Sequence, residues 1–421
     1  MLGRTDGGMT LDPVHFDGIA DLARQIRHEV DAEEHRDVAE ETWENFLDPL
    51  YGDGGVVLEP LAEQRRSAAP IEELALQPSP FDSAHGLDSG TINPRTFKNG
   101  LVLDLAQAAM SATPSDLGLH RSRTVITSVH SNDATVRTNT DWRQWDEGFS
   151  RGRIVHTAPL ARDQERVVHG LALYLAESHH ALEHADQVDS LLLLDGPVYP
   201  KQLVNWADRH ASVADLVTEN ELVGEVLENY VRLVERFAEQ EVPLAGFVKS
   251  PASQALVRAL RDRGRPTPWA SDAAFFAQVL ERRDFDGEDH QRLTDELTWT
   301  GWFTSTLGAD GVFADADELG VERELDAKAY EVAFFVVYDP RTDLVHKVEL
   351  PCAFARDEDV RAAVERYVTS QVATEAGPPK PVGKADELAR IGAAEKGELV
   401  RKLERAFDSR EDENYDDERW E

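Results

Sequence analysis

The sequence predicts an α/β protein built on a mixed sheet flanked by helices, with helical extensions at both ends. Two observations lead there. From about residue 85, short apolar runs alternate with turns and with stretches of helical period. Some of these runs follow one another as hairpins do and others are separated by a helix, which a mixed sheet accommodates better than a purely parallel one. With 421 residues, 41% of them apolar, the chain can bury a substantial core, as two to three domains or one domain with extensions.

Taken in order, Leu11-Asp12-Pro13 reads as a helix start, and Phe16, Ile19, Leu22, Ile26 and Val30 recur on one helical face. Residues 1–60 are therefore expected to form an amphipathic arm that packs on its own chain or on another subunit. Residues 61–84 show little periodicity and read as a loop. Expected strands are Gly86–Asp88, Gly100–Leu105, Thr124–Val129, Ser190–Asp195, Leu244–Lys249, Glu331–Tyr338 and Leu344–Leu350, with helices near 162–186, 202–240, 252–263 and 272–283. A central domain over 80–355 follows. Residues 356–421 form a C-terminal helical extension in which Gly377–Gly383 reads as a linker. Beyond it comes a helix carrying Leu388, Ile391, Leu399, Leu403 and Phe407, then a charged tail expected to be disordered.

The 80 Asp and Glu against 44 Lys and Arg give a net charge of −36, spread along the whole chain. Only 9 of the cations are lysine and 35 are arginine. An acidic surface of this extent suits multimolar salt, where the Debye length falls to roughly 3 Å and self-repulsion is screened. The ordinary alternative is an acidic protein of a low-salt cell. The single cysteine, Cys352, excludes an internal disulfide and any multi-cysteine metal site, and reads as a small buried apolar residue. No segment approaches the roughly 20 apolar residues of a membrane span, and MLGRTDGGMTLD lacks the apolar core of a signal peptide. A soluble, cytoplasmic protein is expected.

The most informative string is Leu191-Leu192-Leu193-Leu194-Asp195-Gly196-Pro197. Four apolar residues make a buried strand and Gly-Pro ends it, which delivers Asp195 to a strand terminus. Carboxylates so placed form rigid oxygen-ligand sites for magnesium or manganese; the plainer reading is an aspartate that caps its turn. Asp88 ends a similar short stretch, and Glu177 lies in the helix leading to the Asp195 strand, on the face of His169, Leu173, His180 and His184.

In this order, Leu87-Asp88-Ser89, Glu177, Leu194-Asp195-Gly196-Pro197, Ala245-Gly246-Phe247-Val248-Lys249-Ser250 and a late aromatic strand, the chain resembles the NurA nucleases over about residues 80–355. The resemblance implies an RNase H-like core and a manganese-dependent nuclease, magnesium being the other candidate ion. It also implies DNA as substrate, a homodimer, and work in end resection at double-strand breaks beside a HerA-type hexameric translocase. By motif, Asp88, Glu177 and Asp195 match the metal-binding acids, and the family's tyrosine and histidine fall on Tyr338 and His346, the latter also a candidate metal ligand. Glu183 competes with Glu177, and Tyr330 with Tyr338. The first motif departs from the family's Asp-Gly-Ser, since Ser89 here precedes Gly90. With the charge, the resemblance points to a salt-adapted archaeon.

Two metal ions roughly 3.5 to 4 Å apart can clamp the attacking and leaving oxygens of a phosphodiester, and carboxylates hold such ions. Tyr338 and His346 flank a turn; if the hairpin pivots on Thr342 they share one face, with ordinary strand packing the alternative. Lys249 is a candidate for the DNA backbone or a plain surface lysine, and its string lacks the glycine spacing of a phosphate-cradling loop. Two rivals remain: a non-catalytic adaptor of a translocase retaining the nuclease fold, and a histidine-carboxylate metallohydrolase on Glu177, His180 and His184.

Overall fold

The computed structural model describes residues 13–26, 32–52, 55–133, 135–156, 162–203, 221–284, 291–314 and 320–412. Its strands are β1 (Leu50–Gly52), β2 (Gly55–Pro60), β3 (Arg66–Pro70), β4 (Ala84–Thr96), β5 (Leu101–Thr113), β6 (Arg123–Ser131), β7 (Arg143–Trp145), β8 (Ser150–His156), β9 (Leu192–Asp195) and β10 (Leu244–Val248). A separate ribbon of β11 (Arg283–Asp284) and β12 (Gln291–Arg292) follows, then β13 (Glu296–Thr300), β14 (Phe303–Ser305), β15 (Val332–Asp339) and β16 (Leu344–Pro351). The main sheet runs β1-β2-β14-β15-β16-β10-β9-β4-β5-β6-β8-β7, with β13 joining β15 to β3. It is mixed, as expected: β9 is parallel to both β10 and β4, β6 is parallel to β8, and the other pairs are antiparallel.

Two helices set the layers around the centre of the sheet. Helix α1 (Arg162–Glu183) lies against β4, β5 and β6, and α2 (Glu221–Glu239) packs on α1. On the opposite face α3 (Lys380–Ala389) lies across β4 and β5 and reaches β9. Gly86 and Gly90 make that approach close: a Cβ on Gly86 would stand 2.2 Å from the carbonyl oxygen of Pro381, and one on Gly90 2.0 Å from that of Ala389. Side chains of β5 then satisfy the helix, since Ser111 Oγ donates to the Pro381 carbonyl at 2.6 Å and Gln107 Nε2 to that of Ala389 at 2.8 Å. Residues from Lys380 onward are thus a docked helix rather than a linker. The proline-rich string misleads because proline is tolerated in a first helical turn, where its missing N–H costs nothing. Of the apolar positions assigned to one helix, Leu388 belongs to α3, Leu399, Leu403 and Phe407 to α4 (Ala393–Phe407), and Ile391 to the break between them at Arg390–Gly392.

Two further expectations need correction. The stretch 61–84 is not all loop: it contains β3, paired with β13, and a short helix, Ile71–Ala75. The Arg-Ser-Ala-Ala-Pro sequence of β3 has side chains too small to show a strand period. The first hairpin is also longer than expected, 13 residues in each strand, because Gly90, Asn93 and Pro94 interrupt the apolar pattern without ending the pairing. The expected helix 202–240 is seen as α2, with 204–220 outside the described residues.

A helix over Pro13–Ala23 carries Phe16, Ile19 and Leu22, and these with Ile26 are exposed rather than packed on the chain; Val30 lies outside the described residues, as does the tail beyond 412. Cys352 is buried, as its type suggests. Among the described residues no helix is long and apolar enough to cross a membrane.

Candidate active site

The first carboxylate stands mid-strand. Pairing of β4 with β5 is unbroken from Ala84 to Ile92, so side chains alternate strictly. Gly86 and Gly90 face α3, and Asp88 between them faces the same way; Ser89 points to α1. The second carboxylate follows from register. Leu87 pairs with Leu194 in the parallel β4–β9 ladder, so Asp195 is next in row to Asp88, and Asp195 itself pairs with Phe247 of β10. One face of the sheet thus brings Asp88 and Asp195 side by side where β9 stops.

Asp195 does not cap its turn. The Gly196 N–H donates to the carbonyls of Leu194 and Phe247, at 3.0 Å each, and Gly196 takes φ +136°, which favours glycine. The carboxylate pairs instead with Lys249 Nζ at 2.5 Å and is hydrogen-bonded to Asp88. Burial, then the charge of Asp195, then that of Glu177, push the Asp88 carboxyl up to about 8, while Lys249 and the Ser89 N–H, which donates to Asp88 Oδ1, act the other way. Asp88 accordingly holds its proton more tightly than an ordinary carboxyl. Burial raises Asp195 as well, despite Lys249.

Glu177 is on the other side. It projects from α1, where Ser89 Oγ donates to Oε1 at 2.6 Å and the Tyr230 hydroxyl of α2 to Oε2 at 3.3 Å. Burial pushes it up to about 7. Its charge reaches Asp88 across the end of β9, so it belongs to the same electrostatic unit. Among the described residues no three His, Cys, Asp or Glu side chains converge as a finished metal cage. Lys249 and Ser89 hold the carboxylates that would have to converge. Glu183 has no such setting: it forms an ion pair with Arg151 at 2.7 Å on the outside of the helix. The partners Ser89 and Tyr230 were not legible in sequence, although Ser89 adjoins Asp88.

Tyr338 and His346 do not share a face. The hairpin pairs Val337 with His346 and Tyr338 with Val345, one residue off a pivot at Thr342, and a slip of one residue sends side chains to opposite sides. Tyr338 packs in the cluster of Phe276, Phe303 and Phe334, and its hydroxyl donates to Asp343 at 2.7 Å. Tyr330 is no substitute, since its buried hydroxyl serves Glu235. His346 is on the acids' face, beside Phe247 with ring centroids 5.1 Å apart. Its Nδ1 lies 2.8 Å from the Lys249 carbonyl, which accepts only from Nδ1–H. Burial lowers its pKa, so the ring is neutral and Nε2 carries a lone pair, buried and without a hydrogen-bond partner among the described residues. A ring tautomer fixed through a carbonyl, with the second nitrogen open, is how histidines are readied for a metal or phosphate.

The histidine alternative is not assembled. His180 is buried with Nδ1 3.0 Å from Thr124 Oγ1, and His184 meets it edge to face, while Glu177 faces Ser89. Glu177→Gln is expected to reduce turnover at least tenfold, the lower bound for a residue around a metal. Glu183→Gln should remain within about 0.5 kcal/mol of wild type in stability, as surface changes do. Initial rates and denaturation midpoints check both.

The NurA domain model matches residues 82–391 of the chain. Among solved structures, the NurA nuclease from Sulfolobus solfataricus aligns over 93% of this chain and 96% of that one, at 12% identity and a TM-score of 0.48. A structure of NurA bound to dAMP and manganese aligns over 94% and 98%, at 10% identity and a TM-score of 0.44. A structure of NurA with manganese aligns over 93% and 97%, at 11% identity and a TM-score of 0.40. No curated protein matches the chain.

Proposed function

This chain belongs to the NurA family, and on that premise we propose that it is a metal-dependent nuclease that hydrolyses DNA phosphodiester bonds at an RNase H-like centre. The observation that carries the reading is the pair Asp88 and Asp195, buried side by side at the end of β9 with one lysine for counter-ion. Buried like charges are costly, and a donor set dominated by carboxylate oxygens at fixed positions suits a hard divalent cation, manganese or magnesium. Asp88 and Asp195 would hold the ion, Glu177 would complete its shell on release from Ser89, and His346 Nε2 is the fourth candidate donor. Bound there, the ion would supply an activated water and neutralise charge on the phosphate. The protein's own residues orient. Lys249 offers a phosphate contact, and the neutral His346 fixes the carbonyl of that lysine. Tyr338, bound to Asp343 on the opposite face, is not given a catalytic role.

Several features extend the reading. The domain is assigned to 80–355, with β1, β2 and β3 before it extending its sheet and the C-terminal helices after it, α3 covering β4 and β5. The exposed apolar residues Phe16, Ile19, Leu22 and Ile26 suit a homodimer, and we infer action in double-strand break repair beside a HerA-type translocase from the family resemblance alone. The charge of −36 suits a salt-adapted archaeal cytoplasm.

Incubating purified protein with end-labelled DNA and manganese in molar potassium chloride tests the activity. Intact DNA under those conditions would leave the adaptor reading. Metal affinity should also climb with pH. A cation competes with the protons of Asp88 and Glu177, so affinity should rise with pH and level off once pH passes their values of about 8 and about 7. The stability of the metal-free protein should move oppositely. Folded-state values above the unfolded ones contribute stability that is present below pH 4 and lost as pH rises through about 7 to 8. Manganese titrations and melting curves from pH 6 to 9 would reveal the opposed trends, and parallel trends would count against the pair as ligands.

A further inference from the structure

Lysine is scarce here, and Lys249 is one of the few lysines placed among buried acids. Lys201 and Lys347 are committed to Asp310 and Glu349 in an ionic cluster on other strands. Among the described cations Lys249 alone pairs with Asp195, at 2.5 Å, and its charge reaches Asp88 as well. Its base is fixed: the preceding residue, Val248, is paired with Lys347, and its own carbonyl is held by His346 at 2.8 Å. Its tip is not. The Lys249 side chain is 35% exposed against 13% for Asp195, so the ammonium can leave the carboxylate for solvent without moving the backbone.

We propose that Lys249 is the built-in counter-ion of the metal-free centre, competing with the divalent cation for Asp195 and turning to the DNA backbone once displaced. The inference rests on the metal centre proposed above. Its logic is electrostatic. A fixed positive charge beside a cation site repels the incoming ion and occupies lone pairs that the ion needs, so removing it must strengthen metal binding. The freed ammonium is a compact cation on a flexible stem, suited to a phosphate oxygen. One residue therefore opposes the metal and favours the nucleic acid, and its loss has effects of opposite sign on the two ligands.

The test uses the full chain in molar potassium chloride at pH 8, with manganese binding followed through the electron paramagnetic resonance signal of the free ion. Lys249→Met is expected to bind manganese about tenfold more tightly than wild type, the scale of one nearby charge in a partly screened site. Lys249→Arg, which keeps the charge, should bind no more tightly than wild type. In calcium, under which DNA is held uncut, Lys249→Met should bind a DNA duplex more weakly, by roughly the contribution of one phosphate contact. Lys249→Gln repeats both measurements if the methionine variant folds poorly, with the melting temperature as the check. Manganese binding by Lys249→Met that equals or falls below wild type overturns the competition. Failure of the wild-type protein itself to bind manganese overturns the metal centre, a distinct result visible before any variant is made.

Discussion

Asp195→Asn is expected to abolish DNA cleavage while leaving the fold and most DNA affinity in place. The substitution keeps the shape of the side chain and removes the charge. An outer partner of a bound metal is worth roughly 10 to 100-fold, so a ligand itself should cost more than that. The loss should be accompanied by loss of manganese binding, which separates it from a defect in substrate positioning. Asp88→Asn should behave alike, and the double variant should be little worse than either single one, because groups that act as a unit are not additive. Fold integrity is expected to hold. Asp195→Asn relieves a buried carboxylate beside Asp88 even as it takes the partner from Lys249. Cleavage near the wild-type rate under manganese would leave Asp88 and Asp195 as a structural pair and return the adaptor reading.

What sequence could show depended on whether a side chain's surroundings are local. Asp195 was legible because Leu191–Leu194 and Gly196-Pro197 encode a buried strand and its end within seven residues. The mixed order of the central strands was legible for the same reason, since each apolar run is short and bounded. The face of His346 was not. It depends on which residue centres the β15–β16 turn, and nothing in Asp339-Pro340-Arg341-Thr342-Asp343 chooses between neighbouring pivots; in the register adopted, the buried Asp339 pairs with the more exposed Arg341 across the turn. Ser89 and Tyr230 as partners of Glu177 were beyond reach too, because they meet it through packing of α1 on β4 and α2 across 88 and 53 residues of chain. The first turn of α3 was misread as linker because its evidence lies in its partner strand, in the absence of a side chain at Gly86 and Gly90.

Those two glycines carry the second large effect. Gly90→Ala is expected to destabilise the protein by about 1 to 3 kcal/mol, the usual cost of forcing a methyl into a packed interface, and toward the upper end because the obstacle is backbone. The new Cβ would stand 2.0 Å from the Ala389 carbonyl oxygen, and no rotamer relieves such a contact. The helix must move, and moving it breaks the bond from Gln107 Nε2 to the same carbonyl, worth about 0.5 to 1.5 kcal/mol. Gly86→Ala meets the Pro381 carbonyl at 2.2 Å and disturbs the Ser111 bond at the other end of the helix, so it should rank with Gly90→Ala. A control comes from α3 itself. Gly383 has nothing within 4 Å of a built Cβ, so Gly383→Ala should stabilise by roughly 0.5 to 1 kcal/mol through helix propensity. Denaturation in 2 M potassium chloride would order the three. Because α3 lies on the face that holds Asp88 and Asp195, and the charge of its Asp386 raises Asp195, the two strand variants should also weaken manganese binding, whereas Gly383→Ala should not. Equal stability of Gly90→Ala and wild type would mean that α3 does not rest on the sheet as described.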